Sequence, residues 1–139
     1  MSAVNGTLYA AAVDMVFRSR DDGRSWAPLS SSLRKSVQAL ASAVDRATTL
    51  YAAGVTEGDA FVAQIDPAAG TLVAGTLVGG RRDERANALA IAPDGTVYVA
   101  GETRSADFPV RATLTGVLRG DSDAFLVVLV PTMGKPAAR

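Results

Sequence analysis

Two adjacent carboxylates, Asp21 and Asp22, and a second acidic pair one residue apart, Asp121 and Asp123, are the first places where this sequence could do chemistry. Neighbouring carboxyl groups suggest acid and base work of the kind that hydrolyses a glycosidic bond. Asp121 and Asp123, beside Gly120 and Ser122, offer hard oxygen atoms to Ca²⁺. A full calcium loop needs further acidic positions and a closing Glu, which the apolar run from Phe125 to Val130 does not supply, so a solvated turn before a buried strand is the stronger reading. Arg81-Arg82-Asp83-Glu84-Arg85 is the densest charge cluster and could grip a carboxylate or phosphate. Its interleaved signs favour a solvated connection between elements. Gly79-Gly80 lacks the Lys-Ser or Lys-Thr of a phosphate loop and reads as a turn.

The residues that are missing exclude more than those present suggest. With no histidine and no cysteine, this chain contains no Ser-His-Asp triad, no Cys-His pair, no imidazole or thiolate zinc site and no disulfide. Lys plus Arg and Asp plus Glu balance at 14 each, so no net field draws in nucleic acid or an anionic membrane. The longest apolar stretch, Ala124 to Val130, is far below the ~20 residues of a membrane-spanning helix. Met1 to Gly6 lack the basic and apolar pattern of a secretory signal. A hydrophobic fraction of 48% is nevertheless enough for a packed core.

The elements that must position these residues are written three times. Thr7-Leu8-Tyr9-Ala10-Ala11, Thr49-Leu50-Tyr51-Ala52-Ala53-Gly54 and Thr96-Val97-Tyr98-Val99-Ala100-Gly101 are near copies, with tyrosines 42 and then 47 residues apart. That spacing fits one four-stranded propeller blade per repeat. Asn5-Gly6 and Asp94-Gly95 precede the first and third copies and suit two-residue hairpin turns. Upstream strands read as Val37 to Ala43 and Asn87 to Ala92, whereas before Asn5 only four residues remain for one. Third strands follow at Met15 to Arg18, Asp59 to Asp66 and Asp123 to Leu129, and fourth strands at Trp26 to Leu29 and Gly70 to Val78. With strands lettered A to D, the chain reads BCD, ABCD, ABC. Tyr9, Tyr51 and Tyr98, with Phe61 and Phe125, could form an aromatic ligand surface, but their identical place in each repeat favours packing between adjacent blades.

Ser19-Arg20-Asp21-Asp22-Gly23-Arg24-Ser25-Trp26 resembles the Asp-box of BNR-type propeller repeats, with Ser25 where Thr is usual. Its mechanics are readable residue by residue: Ser19 and Asp21 oxygens cap turn N–H groups, Gly23 supplies positive φ, and Trp26 folds back as an apolar plug. Turn capping is therefore the stronger reading of Asp21 and Asp22. Arg18, Arg20 and Arg24 crowd one hairpin, whereas the arginine triad of a sialidase draws on different blades.

Asp59 to Pro109 is similar to the bacterial SBBP propeller repeats. The matching segments are Asp59-Ala60-Phe61-Val62-Ala63-Gln64-Ile65-Asp66, Leu77-Val78-Gly79-Gly80, Asp94 to Gly101 and Asp107-Phe108-Pro109. The resemblance implies an all-β propeller of large exported or cell-surface bacterial proteins, with no catalytic, cofactor or metal residue to carry over.

The expectation is an all-β, partial β-propeller over residues 1–130, with about three four-stranded antiparallel blades near 1–35, 36–80 and 81–130. The first and last blades are expected to be incomplete, and 131–139 to be a flexible tail. Three blades do not close a ring that takes 4–8, so the expected partners are remaining blades of a longer chain or other copies of itself. An unknown protein or glycan is the expected ligand. The expected role is a non-catalytic scaffold, extracellular or at the cell surface. The alternative is a fragment of a sialidase-like or other glycoside hydrolase whose catalytic residues lie outside this chain.

Overall fold

The computed structural model describes residues 1–4, 6–29, 35–43, 49–109 and 120–130, and builds them as strands and turns. Among the described residues eleven strands form three antiparallel sheets. Sheet 1 has the order β1 (Ser2–Val4), β2 (Thr7–Ala12), β3 (Met15–Ser19), β4 (Ala27–Pro28). Sheet 2 runs β5 (Ser36–Ala43), β6 (Thr49–Thr56), β7 (Asp59–Asp66), β8 (Thr71–Val78). Sheet 3 contains β9 (Glu84–Ile91), β10 (Val97–Thr103) and β11 (Asp123–Leu129). Within each sheet every strand pairs with its neighbour in sequence, so each sheet is a meander.

Three of the four residues before the first turn form a strand. Ser2 pairs with Tyr9 and Val4 with Thr7, which completes sheet 1 at four strands rather than three and leaves a two-residue connection. Before the third copy the turn is longer than expected. Ala92 N–H donates to Thr96 O and Gly95 N–H to Ala92 O, with Gly95 at φ 84°, giving a turn whose last residue is left-handed. Two-residue connections occur instead at Val13-Asp14 and Glu57-Gly58, where Val13, Glu57 and Gly58 have φ of 55°, 47° and 100°. Residues 110–119, between β10 and β11, and the expected tail at 131–139 lie outside the described residues.

The sheets pack in series, with β1 and β2 against β5, and β5, β6 and β7 against β9. Period-2 alternation explains how sheet 2 can be buried on both sides. Leu50, Ala52, Phe61, Ala63 and Ile65 join Tyr9, Val16 and Val37 in a core with sheet 1. Ala53, Ala60 and Val62 face the other way, into a second core with Ala86, Val97, Val99, Phe108 and Phe125. The strand entering each new sheet is tied back to the turn between the second and third strands of the sheet before it: Val37 N–H donates to Val13 O, and Glu84 N–H to Gly58 O.

The glycine that ends the second and third copies has a steric reason. Register shifts in β5 and β9 push the first strand toward β6 and β10, so that a Cβ on Gly54 would overlap Ser36 O and one on Gly101 would overlap Arg85 O. The first copy carries Ala12 at this place, and β1 is too short to reach it.

Candidate functional site

The candidate chemistry near residue 21 is used up within one turn. β3 ends at Ser19, whose hydroxyl donates to Asp21 Oδ1 at 2.8 Å and accepts from Gly23 N–H at 2.9 Å. Asp21 Oδ1 also accepts from Ser25 N–H at 2.9 Å, and Oδ2 from the Ser25 hydroxyl. These donors hold the Asp21 carboxyl down to about 2, with the Ser25 hydroxyl the largest cause, then Ser25 N–H, then Ser19. A carboxylate so stabilised is a poor proton donor near neutrality. Asp22 and Gly23 turn the chain with φ of 58° and 85°. Ser19, Asp21 and Gly23 thus meet within one turn. Trp26 departs from expectation: its indole N–H donates to Gly23 O at 3.1 Å, but the side chain is 38% exposed, a half-open cover over the turn rather than a buried plug. Ser25 at the Thr position supplies the same hydroxyl contact.

A second polar assembly joins sheets 2 and 3. Glu84, the first residue of β9, is fully buried. Its Oε1 accepts from the Thr103 hydroxyl at 2.7 Å and its Oε2 from Gly80 N–H at 2.9 Å. Thr103 Oγ1 accepts from Ser105 N–H at 3.0 Å. The Ser105 hydroxyl accepts from Arg82 N–H at 2.8 Å, and Asp107 Oδ1 from Arg81 N–H at 3.0 Å. Arg81 Nε lies 3.4 Å from Asp107 Oδ2, an exposed pair that adds little. Side chains at the far end of β10 therefore satisfy the backbone of the crossover from β8 to β9. Asp59 approaches from the other side, so that a Cβ on Gly79 would meet both Asp59 Oδ1 and Glu84 Oε2. Gly79 is required by close approach of two carboxylates, not by a phosphate.

The expectation that residues 81–85 form a solvated connection holds for Arg81, Arg82 and Asp83 and fails for Glu84. Sequence reasoning missed Glu84, Thr103 and Ser105 because their partners lie 19 to 23 residues away. It also left Phe108 without a role. That ring stacks on Phe125 at 4.8 Å and seals the second core.

Elsewhere the candidates stay apart. Asp94 accepts from Thr96 N–H at 2.9 Å, and that bond, followed by the Thr96 side chain, lowers its carboxyl pKa. Asp123 Oδ1 accepts from Ala124 N–H, and Arg18 donates to Pro67 O at 3.1 Å, pinning sheet 1 to the β7–β8 turn. No group of three or more acidic residues among the described residues is placed to hold a metal ion. No helix among them is long and apolar enough to cross a membrane. The tyrosines and Phe61 and Phe125 do not share one surface. Tyr9 is buried between sheets 1 and 2 and Tyr51 packs on the second core, as shared packing requires, but Tyr98 is 39% exposed because no sheet lies over it among the described residues.

One apolar groove, of about 280 Å³, runs along β7 and β8 and is lined by Phe61, Ala63, Leu72, Gly75 and Leu77, with Lys35 at its rim. Lys35 Nζ sits 5.4 Å from the Phe61 ring centre, within cation–π range. It offers room for an apolar group beside one positive charge and the Thr76 hydroxyl, with no carboxylate among its lining residues.

The class of protein this defines is an all-β repeat protein of three antiparallel sheets whose polar groups brace turns and crossovers. No family model matches the chain, and no curated protein matches it.

Proposed function

We propose that this chain is a non-catalytic β-propeller repeat scaffold, its three sheets acting as successive blades, in an exported or cell-surface bacterial protein. The observation that carries the reading is the use of the polar side chains. Asp21, Glu84, Ser105 and Asp107 each accept from backbone N–H groups of their own turn or of the crossover beside them. Serial packing of the sheets, with first strands adjacent, supports the propeller architecture. The Asp-box bonding around Ser19 and Asp21 supports the likeness to BNR-type repeats, and the Gly79–Asp107 assembly supports the likeness to SBBP repeats.

The scaffold presents turns and the β8 groove to a protein or glycan. No nucleic acid is among its ligands, since its charges balance. Glycan and peptide arrays, run beside hydrolysis assays on a panel of aryl glycosides, test the proposal. Saturable binding without turnover is expected. Hydrolysis of a glycoside by the purified chain would overturn the scaffold reading.

A further inference from the structure

Each sheet has a forward face, turned toward the sheet that follows, and a backward face. The same rows recur on the forward faces. Tyr9 and Val16 in sheet 1, Tyr51 and Val62 in sheet 2, and Tyr98 and Leu126 in sheet 3 hold equivalent places in the β2–β3, β6–β7 and β10–β11 pairings. Burial does not recur. Val16 is 0% exposed under sheet 2 and Val62 4% under sheet 3, whereas Leu126 is 64% exposed. Tyr98 and Val128 are exposed on the same side as Leu126, and the charged pair Glu102 and Arg85 lies at the far end of that face.

The two covered forward faces show what covers such a face: the backward face of another sheet of the same repeat, led by its first strand. Within the described residues one backward face is left over, that of sheet 1. It carries Ala10, Ala12, Met15 and Phe17, with Leu8 under the Asp-box turn. Met15 holds the place taken by Phe61 and Phe125 in sheets 2 and 3. The paired residues of β2 and β3 on this face are uncharged, and Ala12 at its margin is exposed.

We propose that the forward face of sheet 3 docks the backward face of sheet 1 in a second copy of this chain, head to tail. The contact is heterologous, so two copies bring six sheets into series and use both free faces of each chain. Six lies within the 4–8 units that close a propeller. The inference rests on the repeat-scaffold reading. The two fail separately, because this one is read by mass and that one by turnover of a glycoside.

Sedimentation equilibrium and light scattering on the whole chain test it. The expected result is a concentration-dependent rise from 14.3 kDa to about twice that mass. Leu126→Asp and Ala12→Arg each alter an exposed position, so each variant keeps the wild-type circular dichroism spectrum and stays monomeric. An equimolar mixture of the two variants regains association, because one intact tail then meets one intact head. A wild-type chain that stays monomeric overturns the proposal. So does an Ala12→Arg variant that still dimerises, which would mean that two forward faces pair. A monomeric wild type destabilised by Leu126→Asp would show the face to be covered within its own chain, and also overturns it.

Discussion

Replacing Glu84 with alanine removes the acceptor on which the junction of sheets 2 and 3 depends. Two donors lose their partner: the hydroxyl of Thr103, itself buried, and the N–H of Gly80. A buried donor left unsatisfied costs about 1–3 kcal/mol, so two cost about 2–6 kcal/mol. Part is returned because a carboxylate no longer has to be held out of water and no longer faces Asp59 across Gly79. The net expectation is a loss of about 3 kcal/mol, a large share of the 5–15 kcal/mol available to an ordinary domain. Urea unfolding followed by Trp26 fluorescence and circular dichroism gives the number, with an unchanged dependence on denaturant as the sign that only stability moved. Glu84→Gln keeps one acceptor and should lose about half as much. A Glu84→Ala and Thr103→Val cycle should return a coupling of about 1–2 kcal/mol, since the residues are in direct contact. A Glu84→Ala variant within about 0.5 kcal/mol of wild type would refute the claim that this carboxylate organises the junction.

Gly54→Ala and Gly101→Ala each drive a methyl group into a backbone carbonyl that has no flexible end to move, and each should cost about 3 kcal/mol in thermal or urea unfolding, whereas Ala12→Gly should cost under about 1 kcal/mol. Phe108→Ala opens the second core beside Phe125 and should cost about 3 kcal/mol by the same measurement. Val13 is a β-branched residue at φ 55° with its side chain in solvent, so Val13→Asn should raise stability by about 0.5–1 kcal/mol. The Asp21 carboxyl has a folded pKa of about 2 against 3.8 for the free group, so its contribution is complete above pH 3.8 and is lost as pH falls through about 2. A carboxyl titration by NMR should place its midpoint near 2, and Asp21→Asn should flatten the acid dependence of the Trp26 signal in that window.

Much of the fold was legible because its signals are local. The repeated Thr-Leu-Tyr and Thr-Val-Tyr segments became β2, β6 and the start of β10, and the upstream and downstream strands fell within a few residues of their expected bounds. The turn that Ser19 and Asp21 build was legible for the same reason, since its bonds span two to four residues. The turn before the third copy was misjudged because Asp94-Gly95 fits two turn lengths, and the longer one is set by where Ala92 and Thr96 pair. Three residues sufficed for β1 because the edge of β2 supplies a ready partner.

The sequence by itself determined the strand pattern, the repeat, the lack of histidine and cysteine chemistry, and the turn that Ser19 and Asp21 build. These follow from residue type and from contacts along a few neighbouring positions. Tertiary structure alone decided that Glu84 is buried while Arg81 and Arg82 are exposed, that Phe108 closes a core, and that Gly54 and Gly101 admit a passing carbonyl. It also decided that equivalent residues such as Val62 and Leu126 meet opposite fates. Burial depends on which sheet lies opposite, and two identical strands differ in that respect whenever one has a neighbour that the other lacks.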